Sequence, residues 1–203
     1  MGRIWTGTMA DETAPGVLDK HKGALYTLNT DLSIATGVDK ISLSNGLAWN
    51  NEATTMYYID SSNYAVYAFN YNAASGKIDN RRTVLDYKAA SLGEDIPDGM
   101  TIDTNGHLWV ANFYGQKVIC IDPQVGKMIR QVSLPASNIT SVCWGGPNYS
   151  TLYVTSSQFG IPEDKVKTDK AQGGVFAITG LGAKGSPPTN FKVDLTLLKS
   201  KIN

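Results

Sequence analysis

IPDGMTIDTNGHLWVANFYG, residues 96–115, opens with an Asp-Gly pair at the head of one apolar run, passes through the turn signal Asp103-Thr-Asn-Gly106, and enters a second apolar run. LSNGLAWNNEATTMYYIDSS, residues 43–62, repeats the plan with Asn45 where the other has Asp98. A third version starts at Thr140 with Thr-Ser-Val-Cys-Trp144. Each of these first runs is followed about a dozen residues on by a second, at Tyr58-Ile59, Val110-Ala111 and Val154-Thr155. A third run follows at Ala65 to Phe69, Val118 to Ile121 and Val175 to Ile178, and the first two units add a fourth at Thr83 to Leu85 and Met128 to Val132. Short runs rich in Val, Ile, Tyr and Trp, cut by NNEAT, NAASG, DTNG and DPQVGK, are strands joined by tight turns.

The units begin at 45, 98 and 140, intervals of 53 and 42 residues. Four strands recurring at roughly 40–50 residues are the signature of β-propeller blades. A β-sandwich, the second choice, has no need of the repeat. The fold class is therefore all-β. GRIWTGTM and GALYTL match the second and third strands of a further unit at the start of the chain, so it holds about three and a half four-stranded blades. The best helix signal, VDLTLLKS at 193–200, is weak. Two loops interrupt the period, Ala10 to Lys22 and Gln158 to Gly173. Both follow the second strand of a blade, so they share one rim, where long loops shape sites.

The composition narrows the function. The chain has 203 residues, enough for one domain with a core, and 18 basic side chains balance 18 acidic ones. A neutral chain offers no electrostatic footprint for nucleic acid or an anionic membrane. No run of 18 apolar residues occurs, and the N-terminal stretch has no signal-peptide pattern, so a cytoplasmic protein is expected. Cys120 and Cys143 each sit in an apolar run, which predicts two buried, reduced thiols. With two histidines, His21 and His107, and no Cys pair at ligand spacing, a structural zinc site is not expected. The four Trp residues fall at two repeated positions, Trp5 with Trp109 and Trp49 with Trp144, as blade-to-blade packing requires.

In a propeller the innermost strands line a common axis, so Asn45, Asp98 and Thr140 are predicted to converge at one mouth. Oxygen ligands there suit a hard divalent cation. The competing reading is that Asn-Gly and Asp-Gly are simply favoured turn pairs. Pattern alone leaves both open.

The segments GTMADETAPG, HKGALYTL, ISLSNGLAWN, YYIDSSNYAVYAFNY, NRRTVLDY, IPDGMTID, GHLWVANFYG, DPQVGK and GGVFAITGLGAKG, taken in order, resemble the regucalcin family, the senescence-marker and gluconolactonase group with its insect luciferin-regenerating relatives. The resemblance runs from Gly2 to about Lys184; the tail at 186–203 does not align. It implies a partial six-bladed propeller, one divalent cation on the axis (Ca²⁺, Zn²⁺, Mn²⁺ or Mg²⁺), and hydrolysis of sugar lactones. It further implies that Asn45 and Asp98 are metal ligands, that Asp98 is also the proposed general base, and that Glu12 of ADET contacts the sugar hydroxyls. Two stretches of the family have no counterpart here. One is the Gly-Glu-x-Pro segment carrying a third ligand; the other is an Arg-x-Asn-Asp-Gly segment carrying substrate contacts, which Arg81-Arg82, on an outer strand, cannot replace. About the first third of the family's length is thus not represented, and a weak lactonase at best is expected of this chain alone. The alternatives are a non-catalytic calcium-binding protein and a partial-propeller interaction scaffold.

Overall fold

A computed structural model describes residues 2–14, 17–193 and 195–202. Fourteen of its strands form four antiparallel sheets in chain order. Strands β1 (Ile4–Gly7), β4 (Gly23–Leu28) and β5 (Ile34–Ile41) make the first, in the order β1-β4-β5. The second is β6 (Ser44–Trp49), β7 (Thr55–Asp60), β8 (Ala65–Asn72) and β9 (Lys77–Asp86), and the third β10 (Ile96–Ile102), β11 (Leu108–Phe113), β12 (Lys117–Asp122) and β13 (Lys127–Ser133). Strands β14 (Asn138–Gly145), β15 (Thr151–Ser157) and β16 (Val175–Ile178) make the fourth. The expected strands are all present. The addition is β5, whose sequence IATGVDKI is largely exposed and has no apolar run to announce it.

The two interrupting loops carry their own structure. The first holds a small hairpin of β2 (Glu12–Ala14) and β3 (Val17–Leu18), and the second a short helix, α1 (Glu163–Thr168). The tail ends in α2 (Leu195–Ile202), close to the weak helix signal. Among the described residues no helix is long and apolar enough to cross a membrane.

Burial is deepest in the middle strands of a sheet and lowest on its outer strand. All of Leu108–Ala111 and Val118–Ile121 is buried, whereas β13 is exposed along nearly its whole length and carries Lys127 and Arg130 on its edge. Charge on an edge strand discourages pairing with other chains. The period-two alternation of β11 distributes its side chains to both neighbours. Leu108 and Val110 join a cluster with Ile59, Val66 and Met100 of the second sheet and the sheet's own inner strand, while Trp109 and Ala111 join Val142, Trp144 and Leu152 of the fourth. The repeated tryptophans meet across the joints: Trp5 lies 6.4 Å from Trp49, and Trp109 packs edge-on to Trp144 at 5.5 Å and 84°.

Cys120 is buried as expected, but Cys143 is exposed. Strand β14 points Val142 and Trp144 into the core, and alternation sends Cys143 to the opposite face.

Candidate functional site

The Asn-Gly and Asp-Gly pairs are not hairpin turns. Each lies inside an inner strand, at a β-bulge. Pairing of β6 with β7 jumps between Ser44↔Asp60 and Leu47↔Tyr58, and that of β10 with β11 between Pro97↔Asn112 and Met100↔Val110. The β14–β15 ladder jumps in the same way between Ile139↔Ser156 and Ser141↔Thr155. One extra residue is accommodated in each case, at Asn45-Gly46, Asp98-Gly99 and Thr140. A bulge re-aims a side chain that would otherwise follow the strand's alternation, so the three aligned positions share one backbone device.

The glycines serve close packing. A Cβ on Gly46 would collide with Met100 and Ile59, and one on Gly99 would lie 2.7 Å from the Ser141 Cα. The inner strands β6, β10 and β14 therefore abut in sequence around a common line, which sets the bulges of neighbouring sheets side by side. Turn glycines are a separate class: Gly106, at φ 85°, closes the Asp103–His107 turn, where its N–H donates to the Asp103 carbonyl at 3.0 Å.

The three bulge residues are held differently. The Asn45 Nδ2 donates to the Ser61 hydroxyl at 2.8 Å, and that hydroxyl donates to the Pro97 carbonyl at 2.5 Å, next to Asp98. The Thr140 and Thr155 hydroxyls bond each other at 2.8 Å, so Thr140 turns to its own sheet. Burial pushes the Asp98 carboxyl up to about 7, with the Gly99 backbone N–H opposing the shift. Among the described residues no cationic side chain pairs with Asp98. A desolvated carboxylate without a cation, beside a primary amide, is a donor set of hard oxygens that fits Ca²⁺, Mg²⁺ or Mn²⁺.

Glu12 lies exposed on the β2–β3 hairpin, paired in register with Leu18. The root of that loop is stitched to the head of β6 by a bridge from Met9 to Leu43 and by a 2.8 Å bond from the Ser44 hydroxyl to the Thr8 carbonyl. The loop therefore departs from beside Asn45, but no described hydrogen bond or ion pair joins Glu12 to Asn45 or Asp98. Arg81 and Arg82 are on the outer strand β9, where Arg81 stacks over Tyr67 and Arg82 bonds Asn70.

Two residues with a part in this region were not read from the sequence. Asp60, 1% exposed, accepts the backbone N–H groups of Ser42 and Leu43 at 3.2 and 3.0 Å and so fixes the approach to Asn45. Ser61 is the other. Their only signal was a polar Asp-Ser pair ending the apolar run MYYI where the chain should have reached water.

Elsewhere, ligand-type atoms of Asp103, His107 and Cys120 lie within 4.8 Å of one another. The Asp103 carboxylate is already engaged: Oδ1 accepts from the N–H groups of Asn105 and His107, and Oδ2 from the Trp109 indole at 3.0 Å. Burial, with Asp103 nearby, pushes the Cys120 thiol up to about 12, opposing the thiolate a metal needs. This cluster is first of all the cap of its turn. A cleft of about 630 Å³ is lined by Trp5, Leu47, Trp49, Ile102 and Trp144 toward the other ends of the inner strands. It is a mostly apolar space, and neither Asn45 nor Asp98 is among its lining residues.

Residues 1–158 match the family described as SMP-30/Gluconolactonase/LRE-like region. The chain is 49% identical over 190 residues to regucalcin of Gallus gallus and 47% identical to that of Homo sapiens, covering 94% of this chain and 62% of each relative. It thus spans about 62% of the length of these relatives. A solved luciferin-regenerating enzyme superposes with a TM-score of 0.82 at 38% identity over 96% of this chain and 62% of its own. A calcium-binding regucalcin from Agrobacterium tumefaciens superposes at 0.83 with 22% identity over 94% of this chain and 61% of its own, a likeness of fold. By this family match and these identities, the chain belongs to the SMP-30/gluconolactonase/LRE-like family.

Proposed function

We propose that this chain carries the divalent-cation site of a sugar-lactone hydrolase at the mouth formed by Asn45 and Asp98. The observation that carries the reading is the Asp98 carboxyl, half-buried at a strand bulge, matched by one backbone donor and no cationic side chain, and pushed up to about 7. Asn45, through its amide oxygen, and Asp98 would hold the cation. When bound, the cation supplies a Lewis acid for the lactone carbonyl and lowers the pKa of water.

Asp98 takes a proton from the attacking water as the water oxygen bonds to the lactone carbonyl carbon. The bond from that carbon to the ring oxygen then breaks, the proton passes to the departing oxygen, and an open hydroxy acid remains. A base near the working pH does this best, typically contributing about 10²–10⁴ in rate. Cation binding lowers the carboxyl's pKa and weakens it as a base, so Asp98 matters more as a ligand. Glu12, exposed on the hairpin whose loop departs from beside Asn45, would contact the sugar hydroxyls.

Two donors fall short of the six to eight oxygens that Ca²⁺ takes, so slow turnover is expected. The test is hydrolysis of an aldonolactone by the isolated chain with Ca²⁺ or Mn²⁺. Weak, cation-dependent turnover abolished by Asp98→Ala supports the reading, and no turnover at any cation concentration refutes it. A second reading, calcium binding without catalysis, draws on the same oxygen donor set and on the relative from Agrobacterium tumefaciens, which is described as calcium-binding. Calcium uptake lost in Asp98→Ala, with no turnover in the parent chain, would favour it.

A further inference from the structure

We infer that Ser61 is a positioning residue that sets the polarity of Asn45 and couples it to the Asp98 strand, so that cation affinity at the mouth depends on a hydroxyl that itself is no ligand. The inference rests on the reading of Asn45 and Asp98 as a cation site.

The argument is an accounting of protons. Ser61 is 1% exposed, so its hydroxyl has no water to fall back on. A hydroxyl has one proton to give and two lone pairs to accept with. The proton goes to the Pro97 carbonyl, the bond at 2.5 Å. Pro97 is buried, has no N–H, and lies where the register of β10 breaks, so that carbonyl needs a partner from outside the ladder. Ser61 can then only accept from Asn45, at 2.8 Å. The amide must present its NH₂ to Ser61, which commits its oxygen to the other side. A primary amide left unconstrained has two faces of nearly equal shape, one that can ligate a cation and one that cannot. The relay Asn45 to Ser61 to Pro97 chooses between them.

The relay also spans two sheets. Ser61 follows β7 in the second sheet, where its own N–H donates to the Leu43 carbonyl at 2.9 Å, two residues before Asn45. Its acceptor is in the third sheet, next to Asp98. One buried hydroxyl therefore fixes the amide's rotation and ties the strand of one proposed ligand to the strand of the other. Removing a partner of this kind behind a metal ligand typically costs 10–100-fold in metal affinity.

The experiment measures Mn²⁺ binding to the full chain by electron paramagnetic resonance, reading the free-ion signal, together with unfolding in urea without metal. The proteins are the parent chain, Asn45→Ala, Ser61→Ala, Ser61→Thr, Asp98→Asn and the Asn45→Ala/Ser61→Ala double variant. Expected are losses of about tenfold or more in Ser61→Ala and in Asn45→Ala, no further loss in the double variant, and recovery to within about threefold in Ser61→Thr. A merely structural Ser61 would instead multiply its loss with that of Asn45→Ala, and that result overturns the inference. So does parent-like binding by Ser61→Ala while Asn45→Ala and Asp98→Asn are impaired, an outcome that leaves the cation site standing. If the parent does not bind Mn²⁺, or if Asn45→Ala and Asp98→Asn bind as the parent does, the site reading fails and takes the inference with it. Should Ser61→Ala not fold, Ser61→Cys, similar in shape but poor as donor and acceptor, takes its place under the same criteria.

Discussion

Replacing Asp98 with Asn should stabilise the metal-free protein in a pH-dependent way. The folded carboxyl titrates at about 7 against an ordinary 3.8, because burial disfavours its charge. Below about pH 4 the folded and unfolded chains both keep the proton, and the half-buried group costs little. Between about 4 and 7 the unfolded chain releases it while the folded chain holds it, so stability falls as pH rises through that window and the loss is complete above 7. At 1.36 kcal/mol per pH unit the gap corresponds to about 4 kcal/mol. Solvent at the strand's mouth screens part of this, giving an expected about 2–4 kcal/mol. Asn keeps the shape and still accepts from the Gly99 N–H, so the variant lacks the titration alone. The assay is urea unfolding followed by tryptophan fluorescence, with EDTA, at pH 4 and pH 8. The variant should match the parent chain at pH 4 and exceed it at pH 8 by that amount, or roughly 2–4 °C in melting temperature per kcal/mol. Adding millimolar Ca²⁺ at pH 8 should narrow or reverse the difference, since only the parent gains a ligand. An equal difference at both pH values would refute the reasoning.

Other substitutions test the packing around the site. Gly46→Ala should cost about 1–3 kcal/mol in unfolding free energy, because the new methyl meets the Met100 side chain and backbone between two inner strands. Asp103→Ala leaves two backbone N–H groups and the Trp109 indole without their acceptor and should cost about 3 kcal/mol or more by the same measurement. Added Zn²⁺ should leave the parent's melting temperature unchanged if the cluster at Asp103 only caps its turn. A thiol reagent should label Cys143 in the native protein within minutes and Cys120 only after denaturation, as mass spectrometry of the labelled peptides would show.

The fold was written into the sequence wherever a strand is buried on both faces. HLWVAN and KVICID are continuous apolar runs because neighbouring sheets cover both of their sides, and such runs announce themselves. IATGVDKI, now β5, was silent because an exposed outer strand has no burial to encode. Alignment of the repeats placed Asn45 and Asp98 at equivalent positions, and the bulges give that equivalence a backbone cause. The same alignment included Thr140, whose hydroxyl turns to Thr155 instead. Residue type does not reveal a partner on another strand, and the same blindness hid Ser61. The glycines after Asn45 and Asp98 looked like turn residues because local chemistry favours that reading, whereas the constraint on them is tertiary, the approach of the next inner strand. Cys143 was misplaced for a related reason: an apolar run does not say which of its alternate faces meets a neighbour.

The division of β11 between two clusters has a mechanical result. Leu108 and Val110 pack toward one sheet and Trp109 and Ala111 toward the next, so the strand is a party wall that neither side can take down alone. Sheets joined in this way open as a group, and amide protons of β11 and β12 should be the slowest to exchange, with rates rising toward β9 and β13. Anything that loosens one joint is therefore transmitted sideways along the arc, and the bulge that carries Asp98 sits on the strand hydrogen-bonded to that wall.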